Sequence, residues 1–80
     1  MTYVIYSKNG CPQCDVAKNF AKSRGVDHII RMLGVDYELN DLMDIAKTPI
    51  RQMPFIMKTV DDNLVPVGSL QDFMKEVNNG

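Results

Sequence analysis

The sequence predicts one α/β domain over residues 1–80, with elements in the order strand, helix, strand, helix, strand, strand, helix. Residues 3–6 and 55–60 are short runs of aromatic and β-branched residues, which are typical of strands. Between and after such runs, apolar residues recur at helical spacing, most clearly from Leu70 to Val77. A chain of 80 residues has room for one small hydrophobic core. These observations together favour one compact domain.

The first half of the chain predicts a strand–helix–strand unit. Residues 3–6 form the first strand, and the helix runs from about Pro12 to Arg24. Gly25 suits the left-handed conformation that ends many helices. Residues 26–33 are apolar on both faces, which predicts an interior strand. Because such units are normally parallel and right-handed, the turn before the helix is expected at the carboxyl end of the first strand, where α/β sheets place their sites.

The second half is predicted to alternate between turns and regular elements. In order these are a loop at 34–39, a helix at 41–47, strands at 55–60 and 64–67 around a turn at 61–63, and a final helix. Asn40 is the expected N-cap of the first of these helices. Pro66 lacks an amide hydrogen, so its strand is expected at the edge of the sheet. Ser69 and Asp72 predict a capping box for the last helix, whose residues 78–80 are expected to fray.

Both cysteines lie in the turn between the first strand and the first helix. With Cys11 as N-cap and Pro12 as the first helical residue, the free amides of Gln13 and Cys14 can point at the Cys11 sulfur. The positive end of the helix lowers the pKa of a thiol placed there and favours the thiolate. Cys14 lies one turn further along and is expected to face the interior. Cys11 is therefore predicted to attack a disulfide, and Cys14 to resolve the mixed disulfide.

Three other interpretations of the pair remain. A structural disulfide across so short a loop would restrain the unfolded chain little. Half of a zinc site would need two further ligands, and His28, which is also explained as an ordinary strand residue, is the only other soft candidate. Two buried, inert cysteines would leave Pro12 at the helix start unexplained. The spacing and context favour redox chemistry.

Composition narrows the setting. The net charge of -1 favours neither nucleic-acid nor membrane binding. Met1 leads directly into a strand, which predicts no signal peptide and a cytoplasmic protein. Both cysteines belong to one motif, as expected in a reducing compartment, where a cysteine pair is more often catalytic than structural.

Three separated motifs resemble those of glutaredoxins, and the resemblance covers nearly the whole chain. Residues 6–14 are similar to the active-site turn of that family, residues 51–54 to the stretch that ends in a cis-proline, and residues 68–73 to the opening of its last helix. The resemblance implies a thioredoxin-like fold, with a four-stranded mixed sheet flanked by three helices. It also implies a cis Met53–Pro54 bond opposite the cysteines.

The resemblance further implies a set of residues that contact glutathione or another substrate. They are Lys8, Pro12, Gln13, Arg51, Met53, Pro54, Ser69 and Asp72. Lys8 and Arg51 would meet carboxylates, the Met53 backbone would pair with the tripeptide, and Ser69 with Asp72 would receive its γ-glutamyl end. Lys8 and Arg51 also fit ordinary solvated cations, and Asp72 also fits a helix cap.

The implied function is that of a monomeric dithiol–disulfide oxidoreductase that reduces protein disulfides or glutathione mixed disulfides. Glutathione is the implied reductant, with no metal and no tightly bound cofactor. Gln13 stands where glutaredoxins usually have Tyr. At this position the chain is similar to redoxins that are recharged by thioredoxin reductase and that donate electrons to ribonucleotide reductase. A glutathione-assisted iron–sulfur cluster module and a redox-inactive protein contact are the alternatives from other classes.

Overall fold

The computed structural model describes residues 1–50 and 52–79. Its elements follow the predicted order. They are β1 (Tyr3–Ser7), α1 (Pro12–Arg24), β2 (His28–Met32), α2 (Leu39–Ala46), β3 (Phe55–Val60), β4 (Asn63–Gly68) and α3 (Leu70–Asn79). No helix within the described residues is both long and apolar enough to cross a membrane.

The four strands form one mixed sheet in the order β2-β1-β3-β4. β1 pairs with β2 in parallel and with β3 antiparallel, and β3 and β4 form the antiparallel hairpin. All five residues of β1 are buried. β1 is therefore an interior strand, and its carboxyl end delivers the chain to the turn that holds the cysteines.

Helices cover both faces of the sheet. On one face, α1 and α3 pack Ala17, Ala21 and Phe73 against Tyr3 and other residues of the sheet. On the other face, Leu42 and Ala46 of α2 are buried and pack with Val4, Tyr6 and Met57. The prediction of a mixed sheet flanked by three helices is confirmed. Pro66 lies in β4, which is an edge strand as predicted.

The prediction that the second strand is interior is wrong. β2 is the other edge of the sheet, and it spans His28–Met32 rather than residues 26–33. Its two isoleucines face opposite sides, yet Ile29 remains 42% exposed and Ile30 37% exposed. The helices leave this edge of the sheet partly uncovered. A strand with apolar residues on both faces can therefore lie at the edge here.

The predicted start of the second helix is also wrong. The amide of Leu42 donates to the carbonyl of Glu38 at 3.1 Å, so α2 begins at Leu39 with Glu38 as its N-cap, and Asn40 lies inside the first turn. Burial of Leu42 outweighs the preference of asparagine for a capping position, which amounts to only about 1 kcal/mol. Of the residues expected to fray, Asn78 and Asn79 belong to α3, and Gly80 lies outside the described residues.

Candidate active site

The cysteine pair sits where the sequence places it, between β1 and α1. Cys11 is the N-cap of α1, with extended backbone angles, and Pro12 is the first helical residue. The amide of Cys14 donates to the Cys11 sulfur at 3.2 Å. The two cysteines form a disulfide, and their Cα atoms are 5.2 Å apart. Because this amide has no partner within the helix and points at the Cys11 sulfur, the helix start stabilises a thiolate there when the pair is reduced.

The two sulfurs differ in their surroundings. Cys14 is 0% exposed and Cys11 is 9% exposed, which confirms that Cys14 faces the interior. The Cys11 sulfur lies 3.7 Å from the carbonyl oxygen of Met53. The Met53–Pro54 bond is cis, as the resemblance implied. The stretch from Met53 to Pro54 therefore lies directly beside the more accessible cysteine.

An open groove of about 450 Å³ adjoins this stretch. It brings together four predicted site residues: Gln13, Met53, Pro54 and Ser69. Lys8, Pro12 and Asp72 do not line it, and Arg51 lies outside the described residues. Gln52 and Gln71 line the groove as well, and the sequence analysis missed both. Every described residue that lines the groove is uncharged.

The start of α3 forms one wall of the groove and is held by the predicted capping box. The Asp72 carboxylate accepts hydrogen bonds from the Ser69 amide at 3.0 Å and the Ser69 hydroxyl at 3.1 Å. In return, the Asp72 amide donates to the Ser69 hydroxyl at 3.3 Å. These bonds, first from the amide and then from the hydroxyl, lower the pKa of Asp72. Asp72 thus acts as a helix cap in this structure.

Tyr37, which the sequence predicts in the loop at 34–39, also reaches the site. The Tyr37 hydroxyl donates to the Ser7 carbonyl at 3.0 Å and lies 3.6 Å from the Met53 sulfur. Burial raises the pKa of Tyr37 to about 12, and the nearby Tyr6 adds to the shift. The only local signal was an aromatic residue within the segment 34–39, since the contacts themselves span 30 and 16 positions.

The fold and the cysteine pair define a thiol–disulfide oxidoreductase with a thioredoxin-like fold. A disulfide at a helix N-terminus, beside a cis-proline and at the carboxyl end of a central strand, is suited to exchange with an external disulfide. Among residues 1–50 and 52–79, no three His, Cys, Asp or Glu side chains come together in an arrangement that could hold a metal ion.

Comparison with known proteins agrees with this class. The sequence model of the Glutaredoxin family matches residues 3–65, which is more than half of the chain, and the protein belongs to that family. No curated protein sequence gives a significant match. The fold is similar to the crystal structure of glutaredoxin 1 from Francisella tularensis complexed with cacodylate, with a TM-score of 0.69 and 20% identity. That match covers 98% of this chain and 93% of the other.

Proposed function

We propose that Cys11 is the nucleophile of this redoxin, that Cys14 is the resolving cysteine, and that glutathione is the electron donor. The Cys11 thiolate attacks one sulfur of a substrate disulfide, forms a mixed disulfide and releases the other sulfur as a thiolate. Cys14 then attacks the Cys11 sulfur, which releases the second substrate thiol and leaves the Cys11–Cys14 disulfide. Two glutathione molecules supply the two electrons that reduce it, and they leave as glutathione disulfide.

The position of Cys11 is the observation that carries the assignment of roles. Its sulfur accepts the Cys14 amide at the start of α1, and it is the more accessible of the two sulfurs. A nucleophile needs both a stabilised thiolate and access to the substrate. Cys14 has no exposed surface and so lacks the access that a first attack needs, but it lies within bonding reach of Cys11.

Three features of the groove support glutathione as the donor. Its volume of about 450 Å³ lies within the range of small-molecule sites, roughly 300–1,000 Å³. The Met53 backbone lies beside the Cys11 sulfur, where an extended peptide can pair with it. Ser69 and Leu70, at the start of α3, line the other wall, and a helix N-terminus favours a carboxylate.

One observation favours a second candidate, a redoxin that thioredoxin reductase recharges and that donates electrons to ribonucleotide reductase. The residues described in the lining of the groove are uncharged, and the Asp72 carboxylate bonds to Ser69 as a cap. A protein reductase would meet the polar amides of Gln13, Gln52 and Gln71. This candidate makes the opposite prediction about recycling.

A comparison of two recycling systems tests the proposal. The oxidised protein is supplied with glutathione and glutathione reductase in one assay and with thioredoxin reductase alone in the other, and NADPH consumption is followed. Glutathione as donor predicts recycling in the first assay. Recycling in the second assay only would move the chain to the second candidate.

A variant separates the two cysteine roles. Cys14→Ser is expected to keep activity on glutathione mixed disulfides, which need one thiol, and to lose reduction of protein disulfides, which needs two. Cys11→Ser is the matched control and is expected to lose both. If Cys14→Ser lost both activities and Cys11→Ser retained one, the roles would be reversed.

We also propose that the protein is a cytoplasmic monomer with one domain and no tightly bound cofactor. The use of both cysteines in one redox pair suits a reducing compartment. Size-exclusion chromatography of the reduced and oxidised forms tests the monomer, since a dimer in either form would contradict it. A coloured, iron-containing dimer would favour the cluster-binding alternative.

A further inference from the structure

Tyr37 contacts both segments that form the active site. One segment is the end of β1, where the Ser7 carbonyl accepts the Tyr37 hydroxyl at 3.0 Å. The other is the stretch before the cis-proline, where the Met53 sulfur lies 3.6 Å from the same hydroxyl. The Tyr37 ring packs edge to face against Tyr6, with 5.1 Å between centroids. A single side chain thus joins the strand that precedes Cys11 to the residue beside it.

Ser7 is the fixed side of this connection. It is completely buried, and its carbonyl also accepts the Leu33 amide at 2.9 Å. Its hydroxyl donates to the Arg31 carbonyl at 3.3 Å and lies 2.9 Å from the Met32 sulfur. The chain leaves this anchored residue and reaches Cys11 within four positions. Residues 8–10 are exposed, so Ser7 is the last buried residue of β1 before Cys11.

Met53 is the side of the connection that faces the substrate groove. Its carbonyl oxygen is 3.7 Å from the Cys11 sulfur, and it lines the groove with Pro54. A tyrosine hydroxyl is protonated at physiological pH, and burial raises the pKa of Tyr37 further, to about 12. The hydroxyl is therefore available as a donor to Ser7 at physiological pH.

We propose that Tyr37 is a positioning residue for thiol–disulfide exchange, and that its hydroxyl sets the distance between the Cys11 sulfur and the Met53 backbone. A substrate that docks along Met53 reaches Cys11 in a productive geometry only if this distance is held. The proposal rests on the exchange at Cys11 described above but is independent of whether glutathione is the donor.

Tyr37→Phe tests the proposal, with Tyr3→Phe as the matched control. Both variants remove one hydrogen-bonded hydroxyl and keep the ring, and burial raises the pKa of both tyrosines to about 12. The Tyr3 hydroxyl donates to Glu76 at 2.7 Å at the opposite end of β1. The readouts are kcat/KM for insulin reduction, with dithiothreitol as the electron source, and the rate at which iodoacetamide alkylates Cys11. Each is measured well below the melting temperature of the variant.

Tyr37→Phe is expected to lower kcat/KM for insulin about threefold to tenfold, the effect of one net hydrogen bond on a rate. Alkylation of Cys11 is expected to be unchanged, because iodoacetamide does not dock along Met53. Tyr3→Phe is expected to change neither readout. Equal losses in the two variants, or an unchanged kcat/KM in Tyr37→Phe, would overturn the proposal. Because dithiothreitol supplies the electrons, a failure of glutathione recycling leaves this result unaffected.

A double-mutant cycle provides a second route to the same answer. Met53→Leu removes the sulfur while keeping the size of the side chain. If Tyr37 acts through Met53, the double variant is expected to lose no more kcat/KM than the more impaired single variant. Losses that multiply would show that the two residues act independently and would overturn the proposed connection.

Discussion

The two ends of β1 use their polar groups in different ways. At the amino end, Tyr3 and Lys58 both donate to the Glu76 carboxylate, at 2.7 and 3.0 Å. At the carboxyl end, the chain turns into Cys11, whose sulfur lies 3.7 Å from the carbonyl oxygen of Met53, and Met53 lines an open groove. At the amino end these polar groups bond to one another, whereas the carboxyl end leaves groups available to a substrate.

This difference separates stability from chemistry within a small domain. At the carboxyl end, the Met53–Pro54 bond is cis, and Gly10 and Gly68 have positive φ values of 68° and 122°. The amino end is held by ordinary packing and by an ion pair. Substitutions at the amino end are therefore expected to change unfolding, and substitutions at the carboxyl end to change the reaction as well.

The largest expected effect is that of Phe73→Ala. Phe73 is completely buried and packs edge to face against Tyr3 and Phe20, with centroid distances of 4.9 and 5.5 Å. Loss of such a side chain costs about 3–5 kcal/mol, which is much of the stability of a small domain. Urea unfolding measures the loss. If the folded variant reacted with iodoacetamide more slowly than the wild type, the separation between the two ends would not hold.

An intermediate effect is expected from Gly68→Ala. Gly68 has a φ of +122°, and a Cβ atom there would collide with the Asp72 carboxylate that caps α3. The carboxylate cannot move without breaking its bonds to Ser69, so we expect a loss of about 2 kcal/mol. The control, Gly25→Ala, has a φ of +67° and open space, and is expected to cost about 1 kcal/mol.

The two glycine variants also sharpen the comparison between regions. Gly68→Ala displaces the start of α3, which lines the groove, and is expected to raise KM for glutathione mixed disulfides. Gly25→Ala, at the end of α1, is expected to leave KM unchanged. Equal KM values in the two variants would show that the start of α3 does not contribute to binding.

The smallest expected effect is that of Glu76→Gln, and it depends on pH. Burial alone would raise the pKa of Glu76, but the hydrogen bonds from Tyr3 and Lys58 and the charge of Lys58 outweigh it and lower the pKa. A carboxyl group with a lowered pKa stabilises the fold above its unfolded pKa, and this contribution is lost as the pH falls through the folded pKa. We expect the substitution to cost about 1 kcal/mol at neutral pH, because the pair is partly exposed.

The pH dependence of that difference is the check. Urea unfolding of the wild type and Glu76→Gln is expected to give a smaller difference in free energy at about pH 3 than at neutral pH. The pKa of Asp72 is also lowered, but Asp72 is present in both proteins, so its contribution cancels in the difference. A difference that grew in acid would contradict the proposed role of the carboxylate.

Local signals explain which features the sequence predicted well. The bounds of α1, the cap at Cys11 and the box at Ser69 and Asp72 follow from residues within one helical turn of one another. The cis-proline was predicted from the resemblance of residues 51–54 to a family motif, not from a physical rule.

The features that were missed depend on contacts between distant segments. β2 lies at an edge of the sheet because of the strand order, which its own apolar pattern does not record. The contact between Tyr37 and Ser7 joins positions 30 apart, so nothing near Tyr37 predicts it. The composition of the groove, with Gln52 and Gln71, likewise appears only once three segments come together.

The most direct test of the role of Cys11 is alkylation of the reduced protein by iodoacetamide below neutral pH, with each cysteine followed by mass spectrometry. The free amide of Cys14 points at the Cys11 sulfur, and Cys14 itself is completely buried. Cys11 is therefore expected to react first, while Cys14 stays unmodified, and the preference is expected to vanish in guanidinium chloride. Earlier modification of Cys14, or equal rates in the folded protein, would contradict the assignment of Cys11 as the nucleophile.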